Sequence, residues 1–261
     1  MEDARKKILI LALYAGQIML ENGAETYRVE DTIVRICKAY HISFVESFVT
    51  PTGIFVSIAS EIENEQVTTL IKRIRTRSIN LNKISMVNDF SRKIVDENIT
   101  LEMGMEQLKI IDAIPKYKES LRTICAGMAS AFFGLLLGAT YMDFISSFVI
   151  SMFVYGIITY IQKKNTNLFL ENVIGGILAS LLGILSVSLN MGTNLDKIVI
   201  SSIMILLPGV SITNAVRDSI SGDLLSGLSR AAEAVIVAVS IAVGVGIVMN
   251  FWLYRVGVIG I

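Results

Sequence analysis

The sequence predicts an α-helical membrane protein: five transmembrane helices behind an N-terminal α+β cytoplasmic domain. Charge partition, the length of the uncharged gaps and the placing of strand-like composition predict it. Sixteen of the 23 Lys/Arg and sixteen of the 23 Asp/Glu fall in residues 1–118, leaving seven of each for the other 143. In that second part, charges bound the uncharged gaps 123–142, 144–162, 172–195, 198–216 and 234–254. A helix rising about 1.5 Å per residue needs about 20 apolar residues to cross about 30 Å of hydrocarbon. Lipid offers no partner to unpaired backbone groups, which selects helices, and the runs lack the alternating polarity of barrel strands.

The division is expected at 117/118, with a cytoplasmic domain over 1–117 and a transmembrane domain over 118–261. Residues 5–20 are apolar nearly all round, as in a helix buried among others. Arg5-Lys6-Lys7 followed by Ile8–Leu20 has the charge and length of a secretory signal, but Gly16 and Gln17 interrupt the run and Glu21 and Glu25 follow it. It therefore reads as the first helix of the domain. Asn22-Gly23 ends it, because both residues tolerate the left-handed conformation. A second helix over about 25–39 puts Val29, Ile33, Ile36 and Tyr40 on one face. Strands are expected over 42–50, 53–60 and 66–75, with turns at Thr50-Pro51-Thr52-Gly53 and Glu61–Glu65. Helical spacing returns over about 79–97 and 101–113, and Pro115 leads into the membrane part.

Formal net charge is zero, which argues against a nucleic-acid surface. The local run Lys72-Arg73-Ile74-Arg75-Thr76-Arg77 reads as a solvated edge, with anionic headgroups as the alternative partner. Cys37 and Cys125 stand in different halves and are expected as buried free thiols. His41 is the single histidine; alone it makes no zinc site, and a partly buried structural role is expected. No metal, cofactor or catalytic residue is expected.

Lys163, Lys164 and Arg217 place their loops in the cytoplasm by the positive-inside tendency, and the connection 140–143, without Lys or Arg, outside. The N-terminal domain is then cytoplasmic and the C-terminus outside, with Arg255 opposing mildly. Small-residue stripes, Ser130/Gly134/Gly138 and Gly175-Gly176/Ala179/Gly183, read as helix-packing surfaces.

The stretch with chemistry is Leu207-Pro208-Gly209-Val210 running on to Ser211-Ile212-Thr213-Asn214-Ala215-Val216-Arg217-Asp218. Pro removes a donor and Gly adds freedom, so the helix is expected to break or kink there. Irregular backbone at membrane depth survives where it lines a cavity, and half-helix ends there bind ions or charged solutes; a plain structural kink is the alternative. Thr213, Asn214 and Arg217 share one side at helical spacing. Asp223 follows, then Arg230 and Glu233, which are three apart and can pair. That pair lies either inside the membrane, where burial points to function, or at the interface, since 234–254 alone is long enough to span.

Leu207-Pro208-Gly209, Thr213-Asn214, Arg217-Asp218, Gly222-Asp223, Ser226-Gly227, Arg230 and Glu233 resemble the signature of the threonine/serine exporter family. Asn22-Gly23-Ala24-Glu25-Thr26-Tyr27-Arg28-Val29-Glu30 and Thr50-Pro51-Thr52-Gly53 resemble its N-terminal motifs. The resemblance implies a cytoplasmic domain followed by five spans in a bacterial plasma membrane. It also implies export of small hydroxy amino acids or, in some relatives, dicarboxylates such as succinate. Ten-span members carry a second membrane domain; this chain resembles the longer subunit of split systems, so a second small membrane subunit or a homo-oligomer is the expected partner, beside membrane lipid and a small-molecule substrate.

No phosphate-binding loop motif is present, which argues against ATP-driven pumping and for an ion gradient. Asp218, Asp223 and Glu233 are candidate proton carriers, Arg217 and Arg230 candidate partners for a substrate carboxylate, and Thr213 and Asn214 candidates for a substrate hydroxyl or ammonium. Two other readings give the cytoplasmic domain a different role. In one it is hydrolase-like, with Glu25, Glu30 and Asp31 as carboxylates beside Thr50 or Thr52, although capping by Glu25 or Thr26 explains those residues as well. In the other it regulates or docks the partner subunit.

Overall fold

The computed structural model describes residues 2–59, 67–96, 99–164 and 166–255; the turn expected over Glu61–Glu65 lies outside them. Two compact units are formed, one from Met1–Lys116 with Val210–Ala231, the other from Tyr117–Gly209 with Ala232–Ile261. The expected cut at 117/118 therefore meets only the first crossing of the chain between units. It omits the return of Val210–Ala231, which residues 1–116 hold by buried polar contacts described below.

In the first unit, α1 (Glu2–Glu21) and α2 (Thr26–Ala39) precede the strands β1 (Phe44–Thr50), β2 (Gly53–Ala59) and β3 (Thr68–Arg73). The strands pair antiparallel in the order β1-β2-β3, with Val49 opposite Ile54 and Val56 opposite Leu70. α3 (Leu81–Asp96) and α4 (Leu101–Ala113) follow. α1 is the centre of the core: Leu9, Leu11, Ala12, Ala15, Ile18, Met19 and Leu20 are all buried. That settles the signal-like N-terminus as a core helix. Val29, Ile33 and Ile36 of α2 and the inward Val49, Ile54, Val56 and Ile58 of the sheet complete it. From Val210 on, the segment α9 (Gly209–Ile220) and the first turns of α10 (Leu224–Arg255) also belong here.

The second unit holds α5 (Glu119–Leu136), α6 (Tyr141–Gln162), α7 (Leu168–Ser188), α8 (Leu195–Ile203) with a 3-10 turn over Met204–Leu206, and the rest of α10. Among the described residues, α6, α7 and α10 are long and apolar enough to cross a membrane. Leu195–Leu206 with Gly209–Ile220 qualifies as a bent pair, giving up to four spans. The helix breaks at Leu207-Pro208, as the Pro-Gly step predicts. The gap 123–142 does not become one helix: α5 starts early, at Glu119, and ends at Leu136. Gly138 (φ +77°) is therefore a turn residue beyond the expected stripe, while Ser130 and Gly134 are buried on it. A Cβ on Gly134 would stand 2.7 Å from Ser201 Oγ of α8, and one on Gly176 2.6 Å from the Ile241 carbonyl of α10. Small residues here admit close helix approach.

Two helix ends in the first unit share one device. After α1, Ala24 N–H donates to Met19 O and Gly23 N–H to Leu20 O, with Gly23 at φ +92°; this is the Schellman pattern. After α9 it recurs as Asp223 N–H to Asp218 O and Gly222 N–H to Ser219 O. Among the described residues, non-glycine residues take the left-handed position twice, at Asn190 (φ 56°) and His41 (φ 59°). His41 is thus exposed rather than partly buried, because the residue that stops α2 must turn outward. Cys37 is buried, its thiol pushed up to about 12 by burial, whereas Cys125 is exposed on α5, against expectation.

His41→Gly removes the left-handed penalty and is expected to stabilise the protein by about 1 kcal/mol, while His41→Val destabilises it. Thermal unfolding in detergent micelles measures both.

Candidate functional site

The α1–α2 turn leaves two carbonyls, Gly23 O and Ala24 O, outside the turn bonds just described. α9 and α10 take both. Asn214 Nδ2 donates to Gly23 O at 2.9 Å, and Arg230 Nη2 to Ala24 O at 2.8 Å. The next residues open α2, whose first amides have no partner within the helix. Glu25 occupies the N-cap place, yet its side chain makes no capping bond. The Thr26 amide is instead capped by Asp218 Oδ1 at 3.1 Å, from 192 residues further along the chain. Thr26 Oγ1 donates to Asp223 Oδ2 at 2.6 Å. Two carboxylates thus face the positive end of α2, where a helix favours negative charge.

Asp218 is fully buried and Arg230 is 5% exposed, and Arg230 Nε stands 2.9 Å from Asp218 Oδ2. Charges buried so deeply persist only when paired and hydrogen-bonded, and here the Thr26 amide and the Ala24 carbonyl provide the extra bonds. Gly227 sits where α10 crosses the end of α9; a Cβ there would meet the Ala215 carbonyl at 2.9 Å. Ser226, also buried, reaches Val49 O at 3.5 Å.

A second, outer layer surrounds Glu25. Its Oε1 pairs with Arg217 Nη1 at 2.5 Å and its Oε2 with Arg28 Nη1 at 3.2 Å. The Glu25 side chain is 5% exposed, but that of Arg217 is 57% exposed. Burial pushes the Glu25 carboxyl up; its own backbone amide, Arg217 and Arg28 outweigh this and leave it below the ordinary 4.5. Glu30, one turn along α2, accepts from the Val49 amide at 2.8 Å. Burial raises Glu30 above 4.5, against the Val49 bond and helped by the charges of Asp223 and Asp218.

Of the residues singled out in the sequence, Gly23, Glu25, Thr26, Arg28, Glu30, Asn214, Arg217, Asp218, Asp223 and Arg230 are brought together. Asn22 supports the turn from behind, donating to Ile18 O at 2.7 Å. Thr50, Pro51, Thr52 and Gly53 form the β1–β2 hairpin, with Thr50 Oγ1 donating to Gly53 O at 3.3 Å. Thr213 is on the exposed side of α9, and Pro208, Gly209 and Glu233 belong to the second unit. Asp31 pairs with Arg35 in an exposed i, i+4 bridge.

Sequence reasoning missed Asp143, fully buried at the start of α6. It accepts from the amides of Thr140, Thr193 and Asn194 and from Asn194 Nδ2. The capping-box spacing Thr140-x-x-Asp143 was its available signal.

Arg230→Met leaves Asp218 buried without its cation and is expected to destabilise the protein by about 3–5 kcal/mol. Arg217→Met is expected to lose far less, because Arg217 is largely in solvent and Glu25 keeps Arg28. The contribution of Glu25, whose value is lowered by folding, is complete above pH 4.5 and is lost as pH falls through the lowered value. Glu30, whose value is raised, contributes below pH 4.5 and loses that contribution as pH rises through the raised value. Glu30→Gln, which keeps an acceptor for Val49, is therefore expected to remove a decline in stability on the alkaline side of 4.5. Thermal melts of detergent-solubilised variants across pH measure all of these.

The family model described as "Putative threonine/serine exporter" matches residues 10–252. The chain is 24% identical over 241 residues to the "Probable threonine/serine exporter" of Mycobacterium tuberculosis and 22% identical over 245 residues to the "Threonine/serine exporter" of Corynebacterium glutamicum. Each alignment covers 92% of the chain, which spans only 45% and 50% of those two proteins, about half their length. It is also 22% identical over 252 residues to the "Probable succinate transporter subunit YjjP" of Escherichia coli, with 96% of both chains covered. No solved structure matches. With the family model covering nearly all of it, both halves of the buried cluster included, the chain belongs to the threonine/serine exporter family.

Proposed function

We propose that this chain is a subunit of a secondary transporter that exports a small carboxylate-bearing metabolite, of the threonine/serine type, driven by an ion gradient. The observation that carries the reading is the cluster in which Glu25 and Thr26 meet Arg217, Asp218, Asp223 and Arg230. The cluster gathers four carboxylates, Glu30 included, around three guanidinium groups, those of Arg28, Arg217 and Arg230, at the start of α2.

Arg230 is committed to Asp218 and Ala24 O, so Arg217 is the group with a face to solvent. A substrate carboxylate takes the place of Glu25 on Arg217, since the guanidinium N–H groups donate to either carboxylate. Burial and its acidic neighbours raise Glu30, which favours its taking up a proton. Asp218 and Asp223 hold the α2 end to α9 and α10. Five crossings are proposed: α5, α6, α7, α8 continued to the break at Leu207-Pro208, and α10 beyond Ala231, with α9 kept in the cluster unit. The cluster unit is placed in the cytoplasm of a bacterial cell, with a second small membrane subunit or further copies completing the path.

The near-complete coverage of a succinate transporter subunit favours a dicarboxylate as the second reading. That relative's name, a transporter subunit, also supports the subunit reading. A hydrolase-like role for the first unit has less support: Glu25 is held by two arginines, Glu30 by the Val49 amide, and Thr50 by the Gly53 carbonyl.

Export from proteoliposomes loaded with labelled threonine, serine or succinate tests the reading. Arg217→Lys is expected to raise the half-saturating concentration about tenfold, the loss of one bidentate contact. Asp223→Asn is expected to reduce the maximal rate. Unchanged export of all three solutes in both variants overturns the assignment.

A further inference from the structure

The three-stranded sheet buries one face and leaves the other bare. Phe44 and Phe48 of β1, Phe55 of β2 and Ile71 of β3 point away from the core and are 49%, 53%, 40% and 65% exposed. Register puts Phe48 opposite Phe55 and Phe55 opposite Ile71, so three of them form one row across all three strands. The Phe48 and Phe55 rings are 6.1 Å apart. The solvated face of an antiparallel sheet ordinarily alternates to polar residues, and a continuous apolar row marks an interaction surface. Arg73 lies on this same face, two residues beyond Ile71, and the chain leaving β3 adds Arg75 and Arg77; all three are exposed. Glu46 is the single acid on this face among the described strand residues.

We propose that this face rests on the anionic headgroup layer of a bilayer, with Phe48, Phe55 and Ile71 entering the acyl boundary and Arg73 and Arg75 meeting lipid phosphates. Aromatic side chains beside a basic run have the chemistry of an interfacial contact, each basic residue strengthening it by about fivefold. Lipid is favoured over a protein partner because the same chain carries helices of spanning length. Such a tether holds the patch near a bilayer at high effective concentration, so that even a weak surface affinity is realised. The inference does not depend on what the protein transports.

The full chain reconstituted in nanodiscs tests it. Trp252→Phe removes the one native tryptophan, and Phe55→Trp supplies a reporter in the row; Phe48→Trp is the second reporter should the first not fold. In anionic phospholipid, brominated acyl chains are expected to quench the reporter about twofold or more relative to the unbrominated lipid. Arg73→Glu with Arg75→Glu, zwitterionic lipid, or about 1 M salt is expected to abolish most of that quenching. Equal emission in brominated and unbrominated anionic lipid overturns the proposal. So does a disulfide between copies formed by Phe48→Cys and absent from the parent, which assigns the row to self-association.

Discussion

The buried ion pair between Asp218 and Arg230 is the constraint on which the first unit depends. Removing two such charges from water carries a penalty of several kcal/mol per ion, and their attraction offsets it only with further hydrogen bonds. The α1–α2 turn provides those bonds with backbone atoms: the Thr26 amide to Asp218 and the Ala24 carbonyl to Arg230. Main-chain partners cannot be exchanged by mutation and shift only if the turn itself changes shape. The pair therefore ties the geometry of one helix hairpin to that of another almost two hundred residues away.

The two hairpins are built alike. Each ends its first helix with a glycine in the left-handed conformation and the same double hydrogen bond, at Gly23 and at Gly222. The first turn presents donors and acceptors, and the second presents Asp218 and Asp223, so one end of α2 receives two carboxylates. Around this dry inner layer lies a wetter one, where the buried Glu25 carboxylate meets the half-buried Arg28 and the exposed Arg217. The inner pair is closed to solvent, whereas Arg217 on the outer pair is largely in it.

Much of the local structure is legible in the sequence because its causes are local. Apolar spacing places α1 and α2, β-branched and aromatic runs place the three strands, and Pro208-Gly209 marks the break between α8 and α9. The errors share a cause too. Charge gaps measure where charges are absent and not where helices stop, so the gap 123–142 concealed the turn at Gly138. Cys125 was misjudged because exposure depends on which way a helix faces its neighbours, and His41 because it stands in the turn that ends α2.

The site was legible only as two separate lists of residues. Sequence alone determined their types, their helical spacing and their order, since these follow from covalent neighbours and from the family pattern at each end of the chain. Tertiary structure decided that Asp218 caps Thr26, that Arg230 answers Asp218 and Ala24 O, and that Arg217 rather than Arg230 faces water. Those pairings join positions with no common periodicity, through backbone atoms that carry no side-chain signature. Only the folded chain brings them within hydrogen-bond distance.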